Sequence, residues 1–352
     1  MEFIQDYLID AKRRDFTINA LYFDPIKKQL YDPVGGISNL KSRILKFVGD
    51  PKKRIDEDAL RMLRGVRLAT QLGFKLEKNS FAAIKTRAKY IQGISGERIK
   101  AELDKILLSK NRVSGLRLLQ ASGLLRFIAP EISALNKVSH KSKTYHLEGN
   151  VFEHTLLVLE ALKKKNLPLM YSAIFHDSGK VSTGKKVLKN GQKVYSFKGH
   201  IEQSGLIFDK FAKRLKFSRL HKNLIDWLIK HHEERRKFFE LSDAGKVRHA
   251  MHKNFPSLLD LWQADMHGNK ISPANDFYRK PSFTAYLIGL KLHKKLALKF
   301  FLMEKLAKGD LIMKYSKLKP GRELGQKIQD VKVHIVLGRI KNEKDLKKYL
   351  GT

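Results

Sequence analysis

A chain of 352 residues without a single cysteine can hold neither a disulfide nor a thiolate metal site, and a reducing cytoplasm is its expected home. Lys and Arg number 71 against 35 Asp and Glu, a formal charge of +36, whereas a magnitude of roughly 2 to 8 keeps a small domain soluble. Such a field draws polyanions: nucleic acid first, an anionic membrane surface second, with a generally lysine-rich composition contributing because Lys is spread through every segment.

The length and an apolar content of 42% allow two or three domains with real cores. The first ten residues carry three acids and no base, unlike a secretory leader. Residues 1–35 read as strand and turn, with "FTINALYFD" and "QLYDPVGG" as a hairpin-like pair. From about Gly36 the pattern turns helical. "PKKRIDEDALRMLRGVRLATQLGF" predicts one helix that starts with Pro51 after Asp50 and ends at Gly73. Helical stretches follow at Asn79–Ile91, Ser95–Leu108 and Arg112–Phe127, then a break at "APEI" and the Ser/Lys/His-rich stretch 138–145. A second helical block runs from near Val151 to about Gly268, interrupted by a Gly/Lys-rich loop at 183–199, and a basic helical block fills 276–352. The nearest membrane-span candidate, Ala285–Leu302, is broken by Lys291, Lys294, Lys295 and Lys299, so no membrane association through a span is expected. The fold class is mainly α with a small β element in front, and no internal repeat is visible.

Four stretches carry chemistry. In "IDEDALRMLRGVR", Asp58 and Arg61 are three apart and point off one face of the predicted helix, with Arg64 and Arg67 continuing a basic stripe. The plain alternative is a solvated ion pair. The functional alternative is base reading: a carboxylate accepts hydrogen bonds and a guanidinium only donates, so the pair fits the amine and unprotonated ring nitrogen of cytosine or adenine and mismatches uracil and guanine. Arg64 and Arg67 would then hold a triphosphate. In "AKRRDFTINALYFDP", Arg13 and Arg14 suit phosphates, Asp15 suits ribose hydroxyls, and Asn19 lies on the same strand face as Asp15 and Thr17; an ordinary charged start to a strand is the alternative.

The third is a histidine and aspartate set: His154, His176 with Asp177, His200, His231 with His232, and Asp265. Imidazole and carboxylate without thiolate suit Mn, Ni, Fe, Mg or Zn, and such a metal activates water for phosphoester hydrolysis. A lone histidine is more often a packed core residue; five placements in this order point to a metal site, with Lys180 beside it to aid a phosphate. The fourth is "KGDLIMKYSKLKPGRELGQKI", where Gly309, Asp310, Pro320, Gly321 and Gly325 leave backbone N–H groups at a helix start for an RNA phosphate, or form a plain helix–turn–helix joint.

The runs "RRDFTINAL", "YDPVGGISNLKSRIL", "VGDPKKRIDEDALRMLRGVRLATQLGF" and "GERIKAELDKIL" resemble, in order and spacing, the bacterial class II tRNA nucleotidyltransferase and poly(A) polymerase family. The block from His154 to Asp265 resembles the HD phosphohydrolase domain that many bacterial members carry, and "GDLIMKY…KPGRELG" is similar to their tail. The resemblance implies 1–45 as the C-terminal part of a nucleotidyltransferase head, 46–135 as a helical neck binding base and RNA, 146–270 as an HD domain and 271–352 as an RNA-binding helical tail. It implies CCA addition to tRNA or poly(A) addition, from CTP or ATP with Mg²⁺. It assigns Arg13, Arg14, Asp15 and Asn19 to nucleotide sugar and phosphates, Asp58 and Arg61 to the base, and Glu97 and Arg98 to support of the neck. It assigns His154, His176, Asp177 and Asp265 to an HD metal, with His200 and His232 as extra ligands or phosphate contacts, for hydrolysis of 2′,3′-cyclic or 2′-phosphate RNA ends.

The family's Gly-rich strand, G-G-x-V-R-D and D-x-D segment has no counterpart in the sequence; Asp56 and Asp58 have D-x-D spacing but lie where the base is read. The expectation is therefore a chain inactive in nucleotide transfer by itself, because two-metal transfer needs that carboxylate pair. A separate polypeptide carrying the segment would restore transfer. The alternatives are a working HD phosphohydrolase and a non-catalytic RNA-binding protein.

Overall fold

The computed structural model describes residues 7–139, 147–189, 192–269 and 279–351. Helices dominate, with three two-stranded sheets among the described residues. The opening segment departs from the strand expected there. Tyr7–Arg13 is a helix and Thr17–Asn19 a single 3₁₀ turn, so Asp15 and Asn19 do not share a strand face. The turn brings them together instead: Asn19 Nδ2 donates to Asp15 Oδ1 at 3.0 Å. The hairpin itself is present but short, Tyr22–Asp24 paired antiparallel with Gln29–Tyr31 in the register Tyr22 to Tyr31. Ile44–Leu45 pairs in parallel with Lys75–Leu76 and anchors this region to the helices that follow.

The long helix expected from Pro51 to Gly73 is two helices, Pro51–Glu57 and Leu60–Leu72. Asp50 caps the first, accepting from Lys52 N at 2.8 Å. The break falls at Asp58, whose backbone is extended (φ −151°, ψ 105°) and whose Oδ1 accepts from Leu60 N at 3.0 Å. A short acidic side chain offers the backbone an alternative to the helix ladder, and here it takes it. Gly73, at φ 69°, ends the second helix in the left-handed conformation that glycine adopts at no cost. The expected Arg112–Phe127 helix is likewise divided, into Arg112–Ala121 and Leu124–Ile128, at Gly123 with φ 77°. The Gly/Lys-rich loop is an antiparallel hairpin, Lys185–Lys189 with Gln192–Ser196.

One contiguous apolar core runs from Phe16 and Phe47 through Leu63 and Leu103 to Leu156, Phe175 and Trp262, so the neck and the following bundle are packed together. Arginines pin the seam. Arg112 Nε donates to Leu159 O at 3.0 Å, Arg117 grips Glu153 at 2.7 and 2.6 Å, and Arg214 Nη1 donates to Phe127 O at 3.1 Å. Across the same seam Tyr171 Oη donates to Asp104 Oδ1 at 2.8 Å. A second core joins Val247 to the last four helices, Arg279–Leu306, Gly309–Lys314, Arg322–Leu337 and Glu343–Leu350. Among the described residues no helix is long and apolar enough to cross a membrane.

Candidate functional sites

Arg13, Arg14, Asp15, Asn19, Asp58, Arg61 and Arg64 line one open cleft of ≈ 890 Å³. Residues from the first helix and the segment after it, the 3₁₀ turn, the break between the two neck helices and the second of those helices thus converge. The stretch Ala11–Pro25 places its charges there because Asp10, nearly buried, accepts four hydrogen bonds from three residues: Arg13 Nε at 2.5 Å, Arg14 Nε and Nη2 at 2.9 and 2.6 Å, and Tyr22 Oη at 2.8 Å. Those hydrogen bonds, from Tyr22, Arg13 and Arg14, hold Asp10 far below the carboxylate range and ionised. Asp15 is buried, which disfavours its charge, but hydrogen bonds from Asn19 and from Arg64 (2.8 and 2.5 Å) outweigh burial and lower its pKa.

Asp58 and Arg61 line the same cleft without touching as the i, i+3 helix pair that their spacing predicts. Asp58 Oδ2 accepts from Arg98 Nη2 at 2.9 Å, while Arg61 pairs with Glu57 and donates to Arg54 O at 3.0 Å. Because Asp58 stands at the helix break, its direction is set by Arg98 from the helix Gly96–Leu107. Arg67 points elsewhere: its Nε lies 2.6 Å from the buried Glu102, on a side of the helix away from the cleft. Three and six residues beyond Arg61, a helix of 3.6 residues per turn carries the stripe round, and Arg67 ends in the neck core. Asp10 escaped the sequence because its spacing to Arg13 and Arg14 signals a contact only on a helix, and the segment reads as a strand. Glu97 is exposed on the first turn of Gly96–Leu107.

The second centre is built from helix ends. His154 lies on Val151–Ala161, His176 and Asp177 follow Leu167–Phe175, His200 opens His200–Arg214, His232 follows Arg219–His231, and Asp265 lies on Phe255–Gly268. All six are buried. Nδ1 of His176, His200 and His232 donates to the carbonyls of Ala173, Phe197 and Ile229 at 2.9, 2.9 and 2.7 Å, and Nδ1 of His154 faces the buried Glu148 at 3.4 Å. In its neutral form each ring aims its Nε2 lone pair inward. His154 Nε2 is 3.3 Å from His176 Nε2 and 3.1 Å from Asp265 Oδ1, and Asp177 Oδ2 is 3.7 Å from His154 Nε2 and 3.3 Å from His176 Nε2. Asp177 Oδ1 faces the other two rings, 3.4 Å from His200 Nε2 and 3.7 Å from His232 Nε2.

Lone pairs and carboxylates crowded this closely repel unless a proton or a metal cation sits among them. Ligand atoms around a cation at about 2.0–2.2 Å lie about 3.0–3.5 Å from one another, close to the spacings seen. His200 Nε2 is buried without a hydrogen bond. The residues fit a divalent cation: His154, His176 and Asp177 form one candidate group and Asp177, His200 and His232 a second, with Asp265 beside the first. The same field acts on protons. Burial opposes charge on His154, but hydrogen bonds to Asp265 and Glu148 outweigh it and push its pKa up to about 9. Lys180 Nζ, 2.7 Å from Asp177 Oδ2, and Arg235 Nη2, 2.6 Å from Asp265 Oδ2, flank the centre. Arg235 and Glu233, which is 3.5 Å from His200 Nε2, carry no signal of their own in the sequence beyond lying within three residues of the His231–His232 pair. His231 faces away, stacked on Trp227 at 4.1 Å. Lys305, Lys308, Asp310 and Lys314 border a separate open cleft of ≈ 710 Å³ in the last helical block; Pro320, Gly321 and Gly325 do not line it.

Three family models match the chain in order: the Poly A polymerase head domain over 1–46, the "Probable RNA and SrmB- binding site of polymerase A" over 73–135 and the HD domain over 151–254. The CCA-adding enzyme of Lactococcus lactis subsp. lactis (strain IL1403) is 40% identical over 153 residues, 43% of this chain and 38% of that protein. That of Ligilactobacillus salivarius (strain UCC118) is 45% identical over 117 residues, 33% of this chain and 29% of that protein. The matched part of the chain thus spans well under half the length of these curated relatives. The Bacillus stearothermophilus CCA-adding enzyme, in a crystal structure with CTP, shares the fold at a TM-score of 0.63 and 21% identity, over 99% of this chain and 74% of that one. A head-domain match, a match to the polymerase A RNA-binding-site model and an HD-domain match follow one another in one helical chain, the order expected of a nucleotidyltransferase-family protein with an HD module. The chain belongs to the bacterial class II CCA-adding enzyme and poly(A) polymerase family.

Proposed function

We propose that the arginine-lined cleft binds ATP and CTP for RNA 3′-end nucleotidyl transfer, with tRNA as the RNA, and that residues 46–135 hold base and RNA while 271–352 grip RNA. The observation that carries this is the convergence of seven residues from separate stretches on one cleft, with Asp58 and Arg61 both on its wall. Arg13 and Arg14, fixed by Asp10, take phosphate oxygens through paired N–H groups. Asp15 and Asn19 take the ribose hydroxyls. Asp58 accepts from the amine of cytosine or adenine and Arg61 donates to the neighbouring ring nitrogen; uracil and guanine present the opposite pattern. Mg²⁺ supplies charge neutralisation and alignment in such transfers when two carboxylates hold it. Among the described residues Asp56 is ion-paired with Arg87 at 2.7 Å and Asp58 with Arg98, so the D-x-D spacing at 56–58 offers no free pair. Nucleotide binding is the cleft's part of the reaction. Calorimetric titration with the four triphosphates tests it: ATP and CTP bind more tightly than GTP and UTP, and equal affinities refute the base reading. Extension of tRNA lacking its CCA end by the chain alone refutes the expectation that transfer needs the D-x-D segment from a second polypeptide.

The buried histidine centre favours a second activity in residues 146–270, hydrolysis of 2′,3′-cyclic or 2′-phosphate RNA ends. A divalent cation (Mn, Ni, Fe, Mg or Zn) bound there would supply Lewis acidity and a water of lowered pKa. His154, His176, Asp177 and Asp265 would hold one, and Asp177 with His200 and His232 a second. Lys180 would hold a phosphoryl oxygen beside Asp177. Asp177→Ala should abolish release of phosphate or opening of the cyclic ester; activity unchanged by that substitution, or absent with every divalent metal, refutes this reading. Tight, salt-sensitive tRNA binding with neither activity leaves RNA binding as the function.

A further inference from the structure

Between Asp177 and Glu202 the sequence holds six lysines and no acid. The middle of this stretch forms the hairpin Lys185–Lys189 and Gln192–Ser196, in which Lys186 lies opposite Tyr195. Both feet of the hairpin stand on the histidine centre. One is the turn Lys180–Thr183, whose Lys180 Nζ rests on Asp177 at 2.7 Å. The other is Phe197, whose carbonyl accepts from His200 Nδ1 at 2.9 Å and whose ring lies 5.3 Å from the Lys180 ammonium. Gly184 lets the feet close: a Cβ there would come within 3.0 Å of the Phe197 ring. Lys185, Lys186 and Lys198 are exposed beyond the feet, and Tyr195 is 41% exposed. The Lys186 ammonium is 5.8 Å from the Tyr195 ring centre, and the Tyr195 and Phe197 rings lie 6.1 Å apart at 12°.

We propose that this hairpin is the arm by which the histidine centre holds single-stranded RNA, so that the centre selects a polynucleotide end over a free nucleotide. Phosphates of the last nucleotides pair with Lys185, Lys186 and Lys198, a base stacks on Tyr195, and the terminal phosphoester reaches Lys180 and Asp177. Unbroken positive charge matches a phosphate chain, and exposed aromatic faces interleaved with lysine are what unstacked bases bind. An acid-free run beside buried phosphoester chemistry favours RNA over a lipid surface, because the same strand that meets the lysines must end at the centre. The inference rests on the phosphohydrolase reading of that centre.

The test uses the full chain and the triple variant Lys185→Ala, Lys186→Ala, Tyr195→Ala. A fluorescent RNA of about twelve nucleotides with a 2′,3′-cyclic end is the polymer probe, and 2′,3′-cyclic CMP is the small one. The expected result is a fall of about tenfold or more in affinity and kcat/KM for the RNA, with hydrolysis of cyclic CMP and Mn²⁺ binding unchanged. The salt dependence of RNA binding should weaken by about 0.7 in log–log slope per lysine removed. Equal loss on both substrates assigns the hairpin a purely structural role and overturns the proposal, as does no loss on either. So does loss of binding to phosphatidylserine vesicles with RNA binding intact. If the unaltered chain hydrolyses neither probe, the phosphohydrolase reading fails by itself. RNA affinity and salt slope then decide the hairpin: a fall in both supports the arm, and unchanged values overturn it.

Discussion

Arg98 Nη2 donates to Asp58 Oδ2 at 2.9 Å, tying the start of Gly96–Leu107 to the break between the two neck helices. Asp58 Oδ1 is already committed to Leu60 N, so both carboxylate oxygens are held in place by the protein, as the proposed base reading requires. Arg98→Ala frees the carboxylate to rotate. Affinity for CTP and ATP should fall by about tenfold, and the preference over UTP and GTP should narrow, because one charged hydrogen bond is lost at a half-exposed site. Calorimetry with all four triphosphates reads both effects.

Asp10 holds Arg13 and Arg14, the two arginines proposed to face phosphate. Asp10→Asn removes the charge that holds them side by side, and their mutual repulsion then spreads them. Binding of CTP should weaken by about tenfold while binding of cytidine, which has no phosphate, stays the same. A loss equal for both ligands would mean that Asp10 supports the cleft as a whole.

Asp177 presents one oxygen to His154 and His176 and the other to His200 and His232. Metal content measured by mass spectrometry on protein loaded with Mn²⁺ should reach two ions per chain, none in Asp177→Ala, and one in His200→Ala. A single ion lost completely in His200→Ala would contradict the two groups.

Gly179, in "HDSGK", lies against the start of His200–Arg214: a Cβ would sit 2.2 Å from His200 O and 2.7 Å from Ser204 N. Both obstacles are backbone, so Gly179→Ala must push the helix that carries His200. Stability should fall by about 1–3 kcal/mol, measured by denaturant midpoint, with Mn²⁺ affinity falling as well.

His249, packed near Phe238, Phe255 and Trp262, has its pKa lowered from 6.5 to about 4 by burial and then by the nearby His231 and His252. The unfolded chain takes up the proton below about 6.5 and the fold does not, so the folded state loses stability as pH falls from 6.5 toward 4. Denaturant midpoints across that range should drop, and His249→Phe should flatten the slope.

That these residues belong together was legible from residue type: the basic and acidic side chains flanking "FTINAL" and in the "DEDALRMLR" run suit a phosphate- and base-binding role, and six of them with Asn19 line one cleft. Their contacts were not legible. Asp58 reads as a helix residue paired with Arg61, yet its own side chain captures a backbone N–H and ends the helix, so its partner is Arg98, forty positions on. Arg67 reads as the next member of a stripe, but helical rotation carries it to Glu102. The Gly/Lys loop reads as unstructured because its alternation is short, and cross-strand pairing makes it a hairpin.

Composition, charge and motif order by themselves pointed to nucleotides, RNA and a metal as what this chain would handle, because those demands are met by the kinds of side chain present. Only the tertiary structure decided which charges are free to act and which are spent on one another. A carboxylate's partner depends on distances of a few ångströms between segments far apart in the chain, and burial there decides whether an imidazole or a carboxylate is left facing a ligand.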